Sequence, residues 1–102
     1  MLLERIDGLK VSLVDENTIE VFSFGGDSVS ATLGTKDGPV CGPILTAHEV
    51  DDASLIISDQ SFEIKWDNVE ITDSEIKVIR NGKSATYEIT DKRPGRPKRR
   101  LP

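Results

Sequence analysis

The side chains with the strongest potential for chemistry in this chain are its one cysteine, Cys41, and its one histidine, His48. A cysteine beside a histidine can act as a nucleophile, because the histidine takes up the thiol proton. Cys41, however, lies in a Gly/Pro segment with no basic neighbour and no helix N-terminus to favour its thiolate. One His and one Cys also cannot supply the three or four ligands of a transition-metal site. The sequence therefore predicts a protein that is not an enzyme and that holds no metal or cofactor.

The acidic residues show no catalytic spacing either. They fall mainly at turn positions, as at Asp51-Asp52, where aspartate is common because its side chain hydrogen-bonds the local backbone. The sequence contains no EF-hand spacing, no phosphate-binding glycine loop and no serine-centred nucleophile elbow. Gly25-Gly26 is typical of a hairpin turn. These observations indicate a binding or structural function rather than catalysis.

The clearest functional signal is the uneven distribution of charge. Residues 1–91 contain all 18 acids and 7 of the 13 bases, a net charge of −11, whereas residues 92–102 contain six bases and no acid. Three prolines and a glycine in these last eleven residues oppose helix and strand pairing. We therefore expect one domain over residues 1–91, followed by an extended basic tail over residues 92–102. The tail either meets an anionic partner or is a solvated segment that keeps the chain soluble.

The basic tail contains the tripeptide Gly95-Arg96-Pro97 between basic flanks. In this it resembles the AT-hook, a motif with a Gly-Arg-Pro core, and the resemblance implies binding in the minor groove of A·T-rich DNA. Gly95 would let the backbone approach the groove floor and Arg96 would lie along it, because narrow A·T grooves attract inserted arginine. The bases that would reach phosphates are Lys92, Arg93, Lys98, Arg99 and Arg100.

The tail departs from the AT-hook at one position. Pro94 stands where the motif has an arginine before the glycine, so one half of the groove-reading pair is missing. Other uses of the tail are loose phosphate contact on DNA or RNA, a localisation-type basic run, or docking onto an acidic protein. Nucleic-acid association through residues 92–100 is the function that the sequence favours.

Two further functions fit the body of the chain. Its acidic surface could bind a basic protein, as an inhibitor, an immunity-type protein or a DNA mimic would. A closed barrel of about eight strands could hold one small ligand. The predicted interior is bulky and apolar apart from the Tyr87 hydroxyl, which favours a filled core. An acidic protein-interaction module is therefore the main alternative.

The C-terminal half alternates apolar and polar residues between short turn signals, which is typical of antiparallel strands. Asn-Gly is the strongest of these signals, because a type I′ turn needs positive φ at both positions. The predicted two-residue turns are Asp59-Gln60, Asp67-Asn68, Asp73-Ser74 and Asn81-Gly82. Pairing outward from them places opposite each other Ile57 and Phe62, Trp66 and Val69, Ile71 and Ile76, and Val78 and Ala85.

All four registers collect one apolar set on a single face of the sheet. Its members are Leu55, Ile57, Phe62, Ile64, Trp66, Val69, Ile71, Ile76, Val78, Ala85, Tyr87 and Ile89. The other face is charged, with Lys65, Glu70 and Lys77 expected side by side on three strands. Ile56 and Ile79 break the alternation and are expected on the outer face.

The N-terminal half predicts strands over residues 9–14, 18–24, 28–33 and 44–50, with Val11 opposite Phe22 and a loop over residues 34–43. Residues 1–8 predict either a short helix that plugs one end of the fold or an extra edge strand. About nine strands with one apolar face must curl to cover it. The predicted fold is an all-β, antiparallel up-and-down meander, curled into a small barrel or a two-sheet sandwich.

The sequence also bears on where the protein resides. A lone cysteine excludes an intrachain disulfide, which is typical of a reducing compartment. Glu4 and Asp7 interrupt the short apolar N-terminal run, which is unlike an ordinary signal peptide. No segment approaches the roughly 20 apolar residues of a membrane-spanning helix. We therefore expect a cytoplasmic protein without a membrane partner.

Overall fold

The chain folds as an antiparallel meander in which strands pair mainly with their neighbours in sequence. The structure is a computed structural model that describes residues 1–92, so the predictions made for residues 93–102 lie outside the described residues. The described elements are α1 (Leu2–Ile6), β1 (Leu9–Leu13), β2 (Thr18–Gly25), β3 (Ser28–Thr35), β4 (Val40–Cys41), β5 (Ile44–Asp51), β6 (Ser54–Ser58), β7 (Glu63–Ile71), β8 (Glu75–Arg80) and β9 (Lys83–Lys92).

Pairing of the first strand with the last closes the sheet into a barrel. β1 pairs with both β2 and β9, β2 pairs with β3, β3 pairs with β5, and β5 to β9 pair in sequence order. Eight strands form the barrel, and the additional strand β4 pairs with β3. The predicted all-β meander is confirmed, and its closure makes it a barrel rather than a sandwich. Closure lets the two edge strands of the sheet pair with each other.

Successive strands run in opposite directions, so the turns divide between two ends of the barrel. One end, called the helix end, carries α1, the turns at residues 26–27, 52–53 and 72–74, and the last residue of β9. The other end, called the hairpin end, carries the turns at residues 14–17, 36–39, 59–62 and 81–82.

The N-terminal segment forms a helical plug, which is one of the two alternatives that the sequence leaves open. Leu2 and Ile6 of α1 are buried in the core. The Leu2 N–H donates to Oε1 of Glu49 at 3.2 Å, and the Gly8 N–H donates to the Phe24 carbonyl at 2.9 Å. The helix therefore closes the helix end because its apolar face continues the barrel core.

Three of the predicted hairpins form in the expected register. Asn81 and Gly82 have φ values of 52° and 78°, as a type I′ turn requires. The predicted pairs that the structure confirms are Val78 with Ala85, Ile71 with Ile76, and Val11 with Phe22. Local turn chemistry therefore sets these registers correctly.

The predicted turn at Asp67-Asn68 is wrong, because the chain continues through it as the single strand β7. Asn68 has a φ of 51°, and the β7–β8 register shifts there, with Asp67 opposite Ile79 and Glu70 opposite Lys77. The irregularity is a β-bulge, in which an extra residue on one strand bends it and strengthens its twist. The positive-φ asparagine bends a strand here instead of reversing it.

Two expected contacts change because of this bulge. Trp66 and Val69 both face inward from one strand, so they do not oppose each other across a hairpin. Lys65 and Glu70 likewise belong to one strand rather than to adjacent strands. The expected ladder across three strands is therefore reduced to Glu70 opposite Lys77.

The connection predicted at Asp59-Gln60 is longer than two residues. The Asp59 N–H donates to the Phe62 carbonyl at 2.9 Å, which closes a connection over residues 59–62. Ile57 therefore lies opposite Ile64 and not opposite Phe62. The predicted register of this hairpin is wrong by two residues. Because this is an even number, each side chain keeps the face of the sheet that was predicted for it. All twelve members of the predicted apolar set are buried or pack against the core.

The predicted loop over residues 34–43 contains β4, and β3 extends into it as far as Thr35. β4 and β5 keep one continuous register against β3, with Val40 opposite Gly34 and Ile44 opposite Ser30. Between them, the Pro43 carbonyl accepts the Ala31 N–H at 3.0 Å, but proline has no N–H to donate in return. β4 and β5 therefore follow one line beside β3, and Pro43 interrupts the strand between them.

Aromatic side chains fill the centre of the barrel. Phe22, Trp66 and Tyr87 are each 0% exposed. The ring centroids of Trp66 and Tyr87 lie 4.7 Å apart, and those of Phe22 and Trp66 lie 5.9 Å apart with the rings edge to face. Such tilted contacts add to the stabilisation that burial itself provides. The rings join the β2 side of the core to the β7 and β9 side.

Candidate functional site

Lys92 lies at the junction between the described barrel and the segment predicted to bind nucleic acid. It is exposed, ends β9 and pairs with Leu9 at the helix end. β9 therefore includes the residue at which the tail was predicted to begin. The other predicted site residues lie outside the described residues: Arg93, Gly95, Arg96, Pro97, Lys98, Arg99 and Arg100.

The turns of the helix end are rich in aspartate. They carry Asp7, Asp27, Asp52 and Asp73, and Asp51 ends the adjacent strand. Asp7 Oδ1 accepts the Gly26 N–H at 2.7 Å, and Asp51 Oδ1 accepts the Ala53 N–H at 2.9 Å. These carboxylates therefore shape turns, as expected for aspartate. The basic segment follows a strand that ends beside acidic turns.

Cys41 and His48 both lie on the line formed by β4 and β5, and both are exposed. They are seven positions apart in the sequence, which corresponds to about 24 Å along an extended strand. At that separation the Cys41 thiol does not reach the His48 imidazole. Within residues 1–92, no group of three or more His, Cys, Asp or Glu side chains is arranged to hold a metal ion.

A buried polar network that the sequence analysis missed lies inside the barrel near the hairpin end. Arg80 Nη1 lies 2.6 Å from Glu20 Oε1 and donates to the Tyr87 hydroxyl at 2.7 Å. The Tyr87 hydroxyl donates to Glu20 Oε1 at 2.8 Å. The side chains of Arg80 and Glu20 are only 22% and 12% exposed. The network therefore links β2, β8 and β9 from within.

Strand alternation contains the signal that could have revealed this network. Glu20 has the same parity as the inward Phe22, and Arg80 has the same parity as the inward Val78. An acid and a base at inward positions must find partners, because an unpaired buried charge is strongly unfavourable. Their opposite charges and the Tyr87 hydroxyl supply the partners.

The environment of Tyr87 disfavours ionisation of its hydroxyl. Burial raises the pKa of Tyr87 above its ordinary value of 10.0, and the neighbouring Glu20 carboxylate raises it further, against a smaller opposing effect of Arg80. The hydroxyl therefore stays protonated and donates to Glu20 at neutral pH. In the same aromatic cluster, the buried Nε1 of Trp66 has no hydrogen-bond partner among the described residues. An unpaired buried donor is unfavourable, so the stabilisation that this cluster provides comes from the packing of its rings.

The outer faces of β7, β8, β9 and β1 form a charged wall. Lys65 Nζ lies 3.8 Å from Asp67 Oδ1, and Lys77 Nζ lies 3.5 Å from Glu75 Oε1. An open depression of about 500 Å³ lies over the β7 bulge, with Ile79 in its lining. Lys65 and Lys77 of this wall therefore each neighbour an acid.

Comparisons of this chain with protein-family models, with curated proteins and with solved structures give no match. Within residues 1–92, none of the helical structure has the length and apolar character needed to cross a bilayer. Functional inference therefore depends on the charges and surfaces of the chain itself.

Proposed function

We propose that this protein is a non-enzymatic, nucleic-acid-associated protein that contacts phosphates through residues 92–100. The observation that carries the proposal is the separation of charge along the chain. Residues 92–100 contain six bases and no acid, whereas the body has a net charge of −11. A cluster of bases free of acids is the electrostatic footprint of a phosphate-binding segment.

Three bases of the barrel already have acidic partners, which supports a role for the basic segment in phosphate contact. Lys65 and Lys77 have carboxylates within 4 Å, and Arg80 is turned into the interior towards Glu20. The acid-rich helix end repels phosphates. Contact with a polyanion therefore depends on the basic segment.

The Gly95-Arg96-Pro97 tripeptide extends the proposal to a preference among nucleic acids. Its resemblance to the AT-hook supports insertion of Arg96 into a narrow A·T minor groove. Pro94 replaces the second groove-reading arginine, so we expect only a modest preference for A·T-rich duplexes over G·C-rich ones. Equal affinity for both duplexes would restrict the proposal to phosphate contact.

The test is a titration of a labelled A·T-rich duplex with the full chain at several salt concentrations. Five or six phosphate contacts predict a slope of about −5 when the logarithm of the binding constant is plotted against the logarithm of the salt concentration. A variant with Arg93, Arg96, Lys98, Arg99 and Arg100 changed to Gln should lose this binding.

The matched control changes Lys65 and Lys77 to Gln, which removes body bases that already neighbour acids. Binding and salt slope should stay close to those of the unmodified chain. Absence of binding at low salt, or an equal loss in the Lys65 and Lys77 variant, would contradict the proposal.

A second candidate function is binding of a basic protein by the acidic body. The gathering of aspartates at the helix end favours it, because complementary potentials speed and orient association. Charge reversal at Asp27, Asp52 and Asp73 would weaken the binding of such a partner. Charge reversal at Glu63, Glu70 and Glu75 would also weaken this binding if the charged wall takes part. Neutralising residues 93–100 would leave that affinity unchanged, which separates the two functions.

A further inference from the structure

The outer surface of β2, β3 and β6, and of β5 as far as His48, differs from the rest of the barrel in carrying no formal charge. Outward side chains alternate with buried ones along each strand. The outward positions are residues 19, 21 and 23 of β2, residues 28, 30, 32 and 34 of β3, residues 44, 46 and 48 of β5, and residues 56 and 58 of β6. These positions hold only Ile, Val, Ser, Thr, Gly and the single His48. We call this surface the uncharged wall. In a chain with 30% charged residues, a charge-free surface of four strands is a distinctive feature.

The uncharged wall contains an open strand edge, although the barrel around it is closed. β4 pairs with β3, and the described pairing of β5 with β6 begins only at Thr46, opposite Ser58. Because the Pro43 carbonyl faces β3, the alternate residues Gly42 and Ile44 turn their backbone groups away from β3. The edge over residues 40–44 therefore presents backbone donors and acceptors that a further strand can pair with.

Pro43 does not protect this edge. The N–H that proline lacks would have pointed towards β3, so the loss weakens pairing inside the barrel and not on the open side. Gly42 adds no side chain at the middle of the edge, which permits close approach of another backbone. The usual protection of an exposed edge by charged side chains is absent from residues 38–48.

Exposed apolar side chains concentrate on the same line of strand. The large hydrophobic residues exposed in the described chain are Met1, Val14, Val40, Ile44 and Val50, and three of these five lie along β4 and β5. Val40 is 52% exposed and Ile44 is 63% exposed. Apolar side chains beside unpaired backbone groups are typical of a strand that adds to another sheet.

Charge decides which partner fits this surface. Two bodies of net charge −11 repel each other wherever their acidic surfaces approach. The uncharged wall is the part of the described surface where two copies meet without burying a charge, and interface centres are depleted of charged residues. An antiparallel edge is also complementary to itself, as a two-fold interface requires.

We propose that two copies of this chain associate through residues 40–44, paired antiparallel about a two-fold axis near Gly42. Val40 of one copy then lies opposite the partner's Ile44, and the adjoining uncharged walls flank the joint. The area that this short edge buries is small compared with the roughly 800 Å² that each partner buries in a standard interface. We therefore expect a dissociation constant on the order of 10 to 100 µM.

Sedimentation equilibrium of the full chain over a concentration series tests this inference. The average mass should rise towards twice the 11.2 kDa of one chain. Ile44→Lys should raise the dissociation constant by about tenfold or more, because it places a charged side chain against the partner's apolar Val40. Val14→Lys is the matched control, since Val14 is 62% exposed but lies on the β1–β2 connection. Its dissociation constant should equal that of the unmodified chain.

The salt dependence of association distinguishes this dimer from binding of the basic segment of one chain to the acidic body of another. Edge pairing should persist when the salt concentration is raised to about 0.5 M, whereas attraction between exposed opposite charges is screened. A chain that stays monomeric at about 500 µM would overturn the proposal. So would equal effects of the Ile44→Lys and Val14→Lys changes, or loss of association in high salt. None of these outcomes depends on nucleic-acid binding.

Discussion

The charged wall and the uncharged wall cover one continuous core, yet they present opposite chemistry to solvent. Apart from the Glu20–Arg80 pair, the inward positions under both walls are mainly apolar, as with Ile76 of β8 and Val29 of β3, each 0% exposed. Outward positions differ completely, since Lys77 and Glu75 form an ion pair on one wall while the other holds hydroxyl and aliphatic groups. Strand alternation fixes the fold through the inward residues and leaves the outward residues free to carry function.

The two walls are held together from inside by the aromatic cluster, so the largest effect on stability should arise there. Trp66→Ala removes the ring that contacts Phe22 at 5.9 Å and Tyr87 at 4.7 Å between centroids. We expect the free energy of unfolding to fall by about 3–5 kcal/mol. Urea denaturation followed by far-ultraviolet circular dichroism measures this change. The control Ile79→Ala, at a half-buried outward position, should cost less than about half as much.

The second-largest effect should come from the ion pair that also joins the two walls. Arg80→Met leaves Glu20 largely buried without its base, and we expect a loss of about 2 kcal/mol, less than for a fully buried pair. Adding Glu20→Gln to Arg80→Met should restore part of this loss. Additive losses in the double variant would show that the two side chains do not act as a pair.

A smaller effect should appear as a dependence of stability on pH in the alkaline range. The pKa of Tyr87 is raised in the fold, so the unfolded chain releases the phenolic proton first, near pH 10. This contribution to the free energy of unfolding is fully present below about pH 10 and is lost as the pH rises towards the folded pKa. Tyr87 is the one tyrosine of the chain, so tyrosinate absorbance reports it directly.

The Tyr87→Phe variant provides the reference for that titration. It should lack the tyrosinate signal and should lose about 1 kcal/mol of stability at neutral pH, as for one hydrogen-bonded hydroxyl. Ionisation at pH 10 while the chain remains folded would show that the hydroxyl is not held in the Glu20–Arg80 network.

The smallest effect should come from the outer face of the charged wall. Lys77→Gln removes an exposed ion pair with Glu75, and we expect a change below about 0.5 kcal/mol in the free energy of unfolding. Thr32→Lys on the uncharged wall should be equally neutral for the stability of one chain. A large change from either substitution, measured by urea denaturation, would mean that outward residues do help to fix the fold.

Much of the fold could be predicted because strand alternation and turn chemistry are local properties of the sequence. Asn81-Gly82 needs positive φ at both residues and therefore marks a hairpin correctly. Asn68 also adopts positive φ, but the same local preference fits a bulge as well as a turn. Only pairing with β6 and β8 distinguishes the two, and that pairing is not local.

The features most relevant to function were harder to predict. Glu20 and Arg80 are 60 residues apart, so their contact depends on closure of the barrel. The uncharged wall arises because β2, β3, β5 and β6 become neighbours in space, and β4 lies in a segment whose glycines and prolines predict a loop. The basic segment, in contrast, is visible in the sequence because it is contiguous.

Amide hydrogen exchange at low and high protein concentration tests the contrast between the two walls most directly. We expect exchange at Val40, Gly42 and Ile44 to slow at high concentration, while exchange at Lys77 and Glu88 stays constant. Slowing along β8 and β9 instead, or no dependence on concentration over residues 40–44, would contradict a role of the uncharged wall in pairing and of the charged wall as a solvated surface.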